Sequence, residues 1–186
     1  MQDLGFRKVA GLILAEIDGV LTQVSEEEVA AFEDAILHAD TVFVTGEGRS
    51  GLLARCFAMR LMHLGLQAQA VGDTVTPHVS PGDLLVAVSG SGETKTTNLL
   101  AELAAQQGAR VAALSSLRDT ALARAADLLI VVPAPSKHTD GHGSVQYGGT
   151  LFEQSTLVLL DAVALRLQRR LGETAEQMEA RHATLE

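Results

Sequence analysis

The sequence is poor in cysteine and in positive charge, and each shortage argues against a class of protein. Cys56 is the only cysteine of the 186 residues, so no intramolecular disulfide can form. Because it lies within an apolar helical pattern, we predict a buried, unreactive thiol rather than a nucleophile. Lys and Arg number 14 against 23 Asp and Glu, a formal net charge of -9. This balance argues against nucleic acid or an anionic membrane surface as the main partner, since both attract clustered basic residues.

Long apolar runs are also missing, although apolar residues are not. No run approaches the roughly 18 residues that a membrane-spanning helix needs, and the N-terminal segment lacks the layout of a signal peptide. We therefore expect a cytoplasmic protein. Hydrophobic residues nevertheless make up 47% of the chain, which is enough for a substantial core. The length suggests one domain over residues 1–186.

Apolar periodicity divides the chain into two N-terminal helices, an alternating core and a charged tail. Helical spacing within residues 1–40 predicts the two helices, and Ser25 followed by Glu28 has the form of a capping box. Residues 41–172 alternate between short apolar runs and helical patterns, and 173–186 are the charged tail. Strands are expected at 42–45, 67–71, 83–88, 110–114 and 127–132, and helices at 50–64, 94–107, 117–125 and 150–171. This order predicts an α/β fold, a three-layer αβα sandwich with a five-stranded parallel sheet.

Two short loops rich in glycine and hydroxyl side chains follow predicted strands. They are GEGRSG at 46–51 and SGSGET at 89–94. Each joins the carboxyl end of a buried strand to a helix start, where free N–H groups and the helix dipole favour an anion. Glycines would permit tight turns there, and hydroxyls would donate hydrogen bonds to phosphate oxygens. The predicted phosphate-binding residues are Gly48, Ser50, Ser89, Gly90, Ser91, Gly92 and Thr94.

The two loops also allow other interpretations. GEGRSG matches the dinucleotide-binding pattern G-x-G-x-x-G, with Asp73 about 20 residues later. A nicotinamide-binding oxidoreductase is therefore a rival, but the second hydroxyl loop fits a compact phosphate monoester better. A nucleotide-binding P-loop does not fit, because Lys95 follows Thr94 without a Gly-Lys-Ser/Thr sequence. Taken singly, each serine could also be an ordinary turn or N-cap residue.

Four segments together resemble a known family. GEGRSG at 46–51, AMRLMHLG at 58–65, SGSGET at 89–94 and GTLFEQ at 149–154 resemble the sugar isomerase (SIS) domain family, whose sheet is flavodoxin- or Rossmann-like. AMRLMHLG and GTLFEQ narrow the resemblance to the 6-phospho-3-hexuloisomerases within it. The resemblance runs from about residue 41 to 172. Two departures, Glu47 and Tyr147-Gly148, bear on the fit of the substrate more than on the class of reaction.

The resemblance implies an activity and an assembly. The reaction would interconvert D-arabino-3-hexulose 6-phosphate and D-fructose 6-phosphate through a cis-enediol, in the ribulose monophosphate pathway of formaldehyde fixation. The enzyme would need no metal or other cofactor, and would be a homo-oligomer, most simply a tetramer, with shared active sites. The alternatives kept open are a non-catalytic sugar-phosphate-binding regulator and another aldose-ketose phosphate isomerase of the same fold.

Three residues are candidates for chemistry or orientation. Glu153, in the first turn of the last helix, is the predicted base, although an acid is common at a helix start for other reasons. His63 lies about 13 residues beyond Ser50 on one helix, roughly 20 Å from the phosphate loop at 1.5 Å per residue. It would therefore cap its helix or, as the resemblance favours, serve a neighbouring subunit's site. Arg49 would orient phosphate or substrate hydroxyls, or pair with a surface acid.

The stretch 133–149 contains a histidine pair, and histidine is a common metal ligand. His138 and His142 stand four residues apart with Asp140 between them. The stretch is rich in Pro, Gly and Ser, which is typical of a long loop, and in a loop this spacing does not hold both rings on one face. We therefore predict no metal ligation there.

Overall fold

The structure, a computed structural model, describes residues 5–135 and 143–184. The predicted alternation and the two N-terminal helices are confirmed. The largest boundary difference is at α5, which begins at residue 121 rather than 117, because the Thr120 hydroxyl caps it by accepting from the Ala123 N–H at 3.1 Å. In chain order the elements are α1 (Phe6–Leu21), α2 (Glu26–Leu37), β1 (Val42–Gly46), α3 (Arg49–His63), β2 (Ala68–Ala70), β3 (Leu84–Val88), α4 (Lys95–Gln106), β4 (Arg110–Ser115), α5 (Ala121–Ala125), β5 (Leu128–Val131), α6 (Thr150–Leu171) and α7 (Ala175–Glu179).

The five strands form one parallel sheet in the order β2-β1-β3-β4-β5. Strand β3 is buried at every position, as expected where helices cover both faces. The register pairs Gly46 with Val88 and Val88 with Leu114, so β1 and β3 end level with each other and β4 ends one residue later. The chain order reverses between β1 and β3, and in open parallel sheets ligands bind in the crevice at such a point. The topology thus selects one edge of the sheet for a site.

Helices cover both faces of the sheet and bury two apolar clusters. One cluster joins Phe57 of α3 and Phe152 of α6 to Val44. The other joins Leu122 of α5 to Phe43 of β1 and to residues of α4. Adjacent residues of β1 thus enter opposite layers, which follows from the twofold alternation of a strand. Full burial of such a side chain stabilises the fold by about 1.5 to 3 kcal/mol. The predicted three-layer sandwich is confirmed.

Cys56 corrects one expectation, because its residue is exposed rather than buried. The inward face of α3 is formed by other residues, among them Leu53, Phe57 and Leu61. Leu52 and Met59, which are 64% and 46% exposed, lie outward like the cysteine. Apolar residues therefore occur around the whole helix, and their spacing did not show which side faces the core.

The two ends of the chain pack onto the core through polar contacts. The Ser25 hydroxyl accepts from the Glu28 N–H at 3.3 Å, which is one half of the predicted capping box. The Glu28 carboxylate instead accepts from Arg118 at 2.6 Å and from the Val131 N–H at 2.9 Å. In the charged tail, α7 has a full capping box.

Within the described part of the chain, no helix is both long and apolar enough to cross a membrane.

Candidate active site

A cavity of about 430 Å³ opens where β1 and β3 end. Its wall comes from the loop after β1, the loop after β3 and the first turn of α6. Helices α3, α4 and α6 all begin at this edge, and the unpaired N–H groups and positive dipole ends of helix starts favour anions. The residues that line it are Glu47, Gly48, Ser50, Val88, Ser89, Gly90, Ser91, Glu93, Thr94, Gly149, Phe152 and Glu153.

The loop after β1 is shaped by close backbone packing. Gly48, the N-cap of α3, has φ 59° and ψ -133°, a conformation that favours glycine. A Cβ atom at Gly46 would lie 2.8 Å from the Val88 carbonyl oxygen, and one at Gly51 would overlap the Gly46 carbonyl. Glycine therefore lets the loop lie against β3. The Ser50 side chain enters the cavity wall from a buried position.

The loop after β3 is shaped by hydroxyl groups. The Ser89 residue is only 3% exposed, and its Oγ lies 3.0 Å from the Thr94 Oγ1 and accepts from the Gly92 N–H at 3.2 Å. The Ser91 Oγ accepts from the Glu93 N–H at 3.2 Å. These bonds hold the hydroxyls at the cavity wall before any ligand arrives. A ligand phosphate can replace the Ser89–Thr94 bond, since each hydroxyl can rotate to donate.

Glu153 brings a carboxylate to the same cavity. Its N–H donates to the Gly149 carbonyl at 3.0 Å, which fixes it in the first turn of α6. The carboxylate Oε2 lies 2.8 Å from the Arg49 Nε, and the two side chains are 17% and 57% exposed. The neighbouring Phe152 ring packs against Gly90, where an added Cβ would lie 2.9 Å from the ring. The acid is therefore largely enclosed, and an arginine orients it from the solvent side.

The structure brings together most of the residues predicted from sequence. The cavity wall contains Gly48, Ser50, Ser89, Gly90, Ser91, Thr94 and Glu153. Arg49 joins them through its ion pair with Glu153. Gly92 forms the turn beneath the wall, with φ 63°, and a Cβ there would overlap the Thr120 side chain. Their roles in binding and catalysis stay predictions.

His63 is not part of this cavity. It ends α3, about 20 Å along the helix axis from the helix start. Its residue is 5% exposed, and its ring stacks on that of His182 with centroids 5.1 Å apart. The Arg181 Nη1 donates to the His63 carbonyl oxygen at 2.9 Å. The C-terminal segment thus covers the histidine on its own subunit.

Five lining residues were not predicted as part of the site: Glu47, Val88, Glu93, Gly149 and Phe152. Glu47 was noted only as a departure from the family pattern. The Glu93 carboxylate accepts from the Ala121 N–H at 2.9 Å, so it supports the loop while it lines the cavity. A signal for three of them was present, because Glu93 lies inside SGSGET, and Gly149 and Phe152 lie inside GTLFEQ.

The structure bears on two other interpretations of the sequence, a dinucleotide site and a metal site. The Asp73 carboxylate, which a dinucleotide site would use for a ribose, accepts from Arg55 at 2.7 Å. Across residues 5–135 and 143–184, no three His, Cys, Asp or Glu side chains cluster closely enough to hold a metal ion. The histidines His138 and His142 lie outside the described residues.

Comparison with known proteins assigns the family. The family model of the SIS domain matches residues 35–166. The chain belongs to the SIS domain family. Within this family, the 3-hexulose-6-phosphate isomerase of Mycobacterium gastri is 44% identical over 94% of this chain and 88% of its own. The enzyme of the same name from Bacillus subtilis is 41% identical over 94% of this chain and 95% of its own.

Two solved structures share the fold of this chain. A Methanococcus jannaschii protein, whose crystal structure is described as inferring a molecular function of 3-hexulose-6-phosphate isomerase, has a TM-score of 0.84. It is 30% identical over 96% of this chain and 99% of its own. The Vibrio vulnificus NanR protein complexed with ManNAc-6P has a TM-score of 0.78 at 22% identity, over 96% of this chain and 68% of its own, which shows a shared fold. The resemblance stated from the four motifs is confirmed, and so is the assignment to the isomerases.

Proposed function

We propose that this SIS domain protein interconverts D-arabino-3-hexulose 6-phosphate and D-fructose 6-phosphate. Relatives named for this activity share 41% and 44% of their residues with it over most of both chains. The observation that carries the proposal is the Glu153 carboxylate, which lines one cavity together with two hydroxyl-bearing loops. We place the reaction in the ribulose monophosphate pathway, after formaldehyde fixation, by the same relationship.

The phosphate end of the substrate is assigned to the two loops. Ser89 and Ser91 supply hydroxyl donors, and the first turns of α3 and α4 supply N–H groups. The lining residues of the described cavity include no Lys or Arg. Helix dipoles and hydrogen bonds therefore balance the phosphate charge within the subunit, and the carboxylates of Glu47 and Glu93 disfavour larger anions.

The sugar end is assigned to Glu153. Moving the carbonyl from C3 to C2 begins when the carboxylate takes the proton from C2. The electron pair of the broken C–H bond forms the C2–C3 double bond, and the C3 carbonyl oxygen gains a proton to give the cis-enediol. Protonation at C3 and loss of the proton from the C2 hydroxyl then give the 2-ketose. Atoms and electrons balance without an added oxidant or reductant, and Arg49 orients the carboxylate throughout.

We further propose that the protein acts as a homo-oligomer, a tetramer by resemblance, with shared sites. His63 stands too far along α3 to reach the cavity of its own subunit, since the helix is 15 residues long. A histidine that reached a neighbour's site would assist the opening of the fructose 6-phosphate ring. The 3-ketose phosphorylated at O6 has no ordinary furanose form, so this role concerns one direction of the reaction.

The test is NMR of fructose 6-phosphate incubated with the protein in D₂O. We expect deuterium at C3 and the appearance of a 3-ketose phosphate. Glu153→Gln should lower both rates by about a hundredfold or more, because an amide is not a base. The variant should still bind the sugar phosphate. The matched control is Glu102→Gln, the same change at an exposed position on α4, which should keep the wild-type rate.

Each other outcome has a distinct meaning. Retained turnover in Glu153→Gln removes this residue as the base. Binding without exchange in the wild-type protein refutes the isomerase and leaves a sugar-phosphate-binding regulator. Exchange with a different product identifies another aldose-ketose phosphate isomerase of the same fold.

A further inference from the structure

The phosphate loop after β3 is held from behind by side chains and backbone that do not line the cavity. The Gly90 carbonyl accepts from the Ser116 N–H at 3.0 Å and also from the Ser116 hydroxyl. The Gly92 carbonyl accepts from the Leu122 N–H at 3.0 Å and from the Asn98 Nδ2 at 3.2 Å. The Gly90 carbonyl is therefore tied to the residue that follows β4, and the Gly92 carbonyl to α4 and α5.

These bonds determine which way two N–H groups point. In a trans peptide the carbonyl of one residue and the N–H of the next lie in one plane and point in opposite directions. Tying the Gly92 carbonyl to Asn98 and Leu122 therefore turns the Glu93 N–H away from them, towards the Ser91 Oγ at 3.2 Å. Both Ser91 and Glu93 line the cavity. The same argument applies to the Ser91 N–H, which shares a peptide plane with the Gly90 carbonyl.

The loop has no easy alternative arrangement. Gly92 has φ 63°, and the Thr120 side chain fills the space where a Cβ would be. Asn98 is 9% exposed, and its amide nitrogen is the only one of its two polar side-chain atoms that can bond a carbonyl, since carbonyls only accept. Of the two bonds to the Gly92 carbonyl, the one from Asn98 is made by a side chain and can be removed without altering the backbone.

We propose that Asn98 is a positioning residue for phosphate binding, which fixes the Gly92–Glu93 peptide so that the Glu93 N–H holds the Ser91 hydroxyl at the cavity wall. Ser116 does the same, to a smaller extent, for the Gly90–Ser91 peptide, because its N–H would remain after loss of its hydroxyl. This rests on the proposed function only in taking a phosphate ester as the ligand. Neither residue touches the substrate, so neither is catalytic.

The test compares Asn98→Leu with Thr97→Val by calorimetric titration with fructose 6-phosphate and by steady-state kinetics. Both changes replace a buried polar side chain of α4 by an apolar one of similar shape. Thr97 is the matched control, because its Oγ1 is buried and makes no hydrogen bond within the described residues. We expect Asn98→Leu to raise Kd and KM about tenfold with kcat within about twofold of wild type. Thr97→Val should leave Kd, KM and kcat nearly unchanged, even where it alters Tm.

Equal affinity in wild type and Asn98→Leu overturns the positioning role, and so does an equal loss in both variants, which would reflect stability alone. If Asn98→Leu does not fold, Ser116→Ala tests the same idea, with a rise in Kd of about threefold expected and no rise counting against it. Failure of the wild-type protein to bind fructose 6-phosphate would instead refute the proposed function. A fall in kcat without a change in KM would also overturn the proposal, because Asn98 would then not act through phosphate binding.

Discussion

Three helices begin at the cavity and three begin elsewhere with a side-chain cap, and their first turns differ. The N-caps of α2, α5 and α7 are Ser25, Thr120 and Thr174, and each side chain accepts from a backbone N–H of its own helix. The N-caps at the cavity are Gly48, Thr94 and Gly149, and no side-chain cap is present at any of them in the described part of the chain. Helix α1, which starts at the limit of the described residues, also has none.

The difference indicates where the chain leaves hydrogen-bonding capacity for a ligand. A helix start has four N–H groups without partners in the helix, and a capping side chain contributes about 1 kcal/mol by satisfying one of them. At the cavity that stabilisation is absent from three neighbouring helices. An anion that accepts from these groups supplies it instead. We therefore propose that fold stability and ligand binding compete for the same N–H groups, and that those of the cavity helices bind the ligand.

The two ends of α3 extend this comparison within one helix. Its first turn contains no acid, so the positive end of its dipole is left for the cavity. At its last turn, Arg181 donates to the His63 carbonyl and also pairs with Glu173, with Nη1 to Oε2 at 2.7 Å. A side chain of the same subunit therefore occupies the negative end of the α3 dipole, and we call this the closed end of α3.

The largest expected effect concerns His63 at that closed end. His63→Ala should lower kcat with fructose 6-phosphate as the substrate, the direction that needs ring opening, on the order of a thousandfold if the histidine acts as an acid or base in a shared site. Mixing this variant with Glu153→Gln, after subunit exchange, should then restore about a quarter of the wild-type activity, because mixed pairs contain one intact site. The measurement is activity against mixing ratio.

The same experiment can contradict the shared site. No recovery on mixing means that His63 and Glu153 do not meet across an interface. Full activity of His63→Ala alone leaves the histidine with a structural role at the end of α3. Either result would make the two ends of the helix independent of each other in function.

The next effect in size concerns the uncapped start of α4. Ser89→Ala combined with Ser91→Ala should weaken fructose 6-phosphate binding about a hundredfold, since each lost hydrogen bond to a charged group contributes on the order of 1 to 3 kcal/mol. The readout is Kd by calorimetry. Ser25→Ala is the matched control at a capped helix, where we expect a loss of about 1 kcal/mol in the free energy of unfolding and unchanged Kd. Unchanged affinity in the double variant would refute the phosphate loop.

Much of this architecture could be predicted from local patterns. Short apolar runs alternating with helical spacing indicated the parallel sheet, and the common direction of its strands placed both glycine loops at one edge. Glu153 could be placed because its helix starts at the same edge. These inferences need only the period of apolar residues and the direction of strands.

The remainder depends on contacts between distant parts of the chain. Ala121 donates to Glu93 across 28 residues, and Arg181 to His63 across 118. No local pattern indicates such partners. The exposed Cys56 is a related case, because apolar residues on both sides of α3 do not show which face packs on the sheet.

The smallest expected effect is at the closed end of α3, where Arg181→Ala removes the ion pair. The hydrogen bond from Arg181 lowers the pKa of the Glu173 carboxyl below its ordinary value, against the opposite effect of desolvation. A lowered pKa in the folded state stabilises the protein above the ordinary glutamate pKa of about 4.3, and this contribution disappears as pH falls through the folded-state value. The Tm difference between wild type and Arg181→Ala should therefore be present at pH 7 and shrink in acid. Arg169→Ala, at an exposed arginine of α6, should show no such trend, and a pH-independent difference for Arg181→Ala would assign its effect to the His63 carbonyl alone.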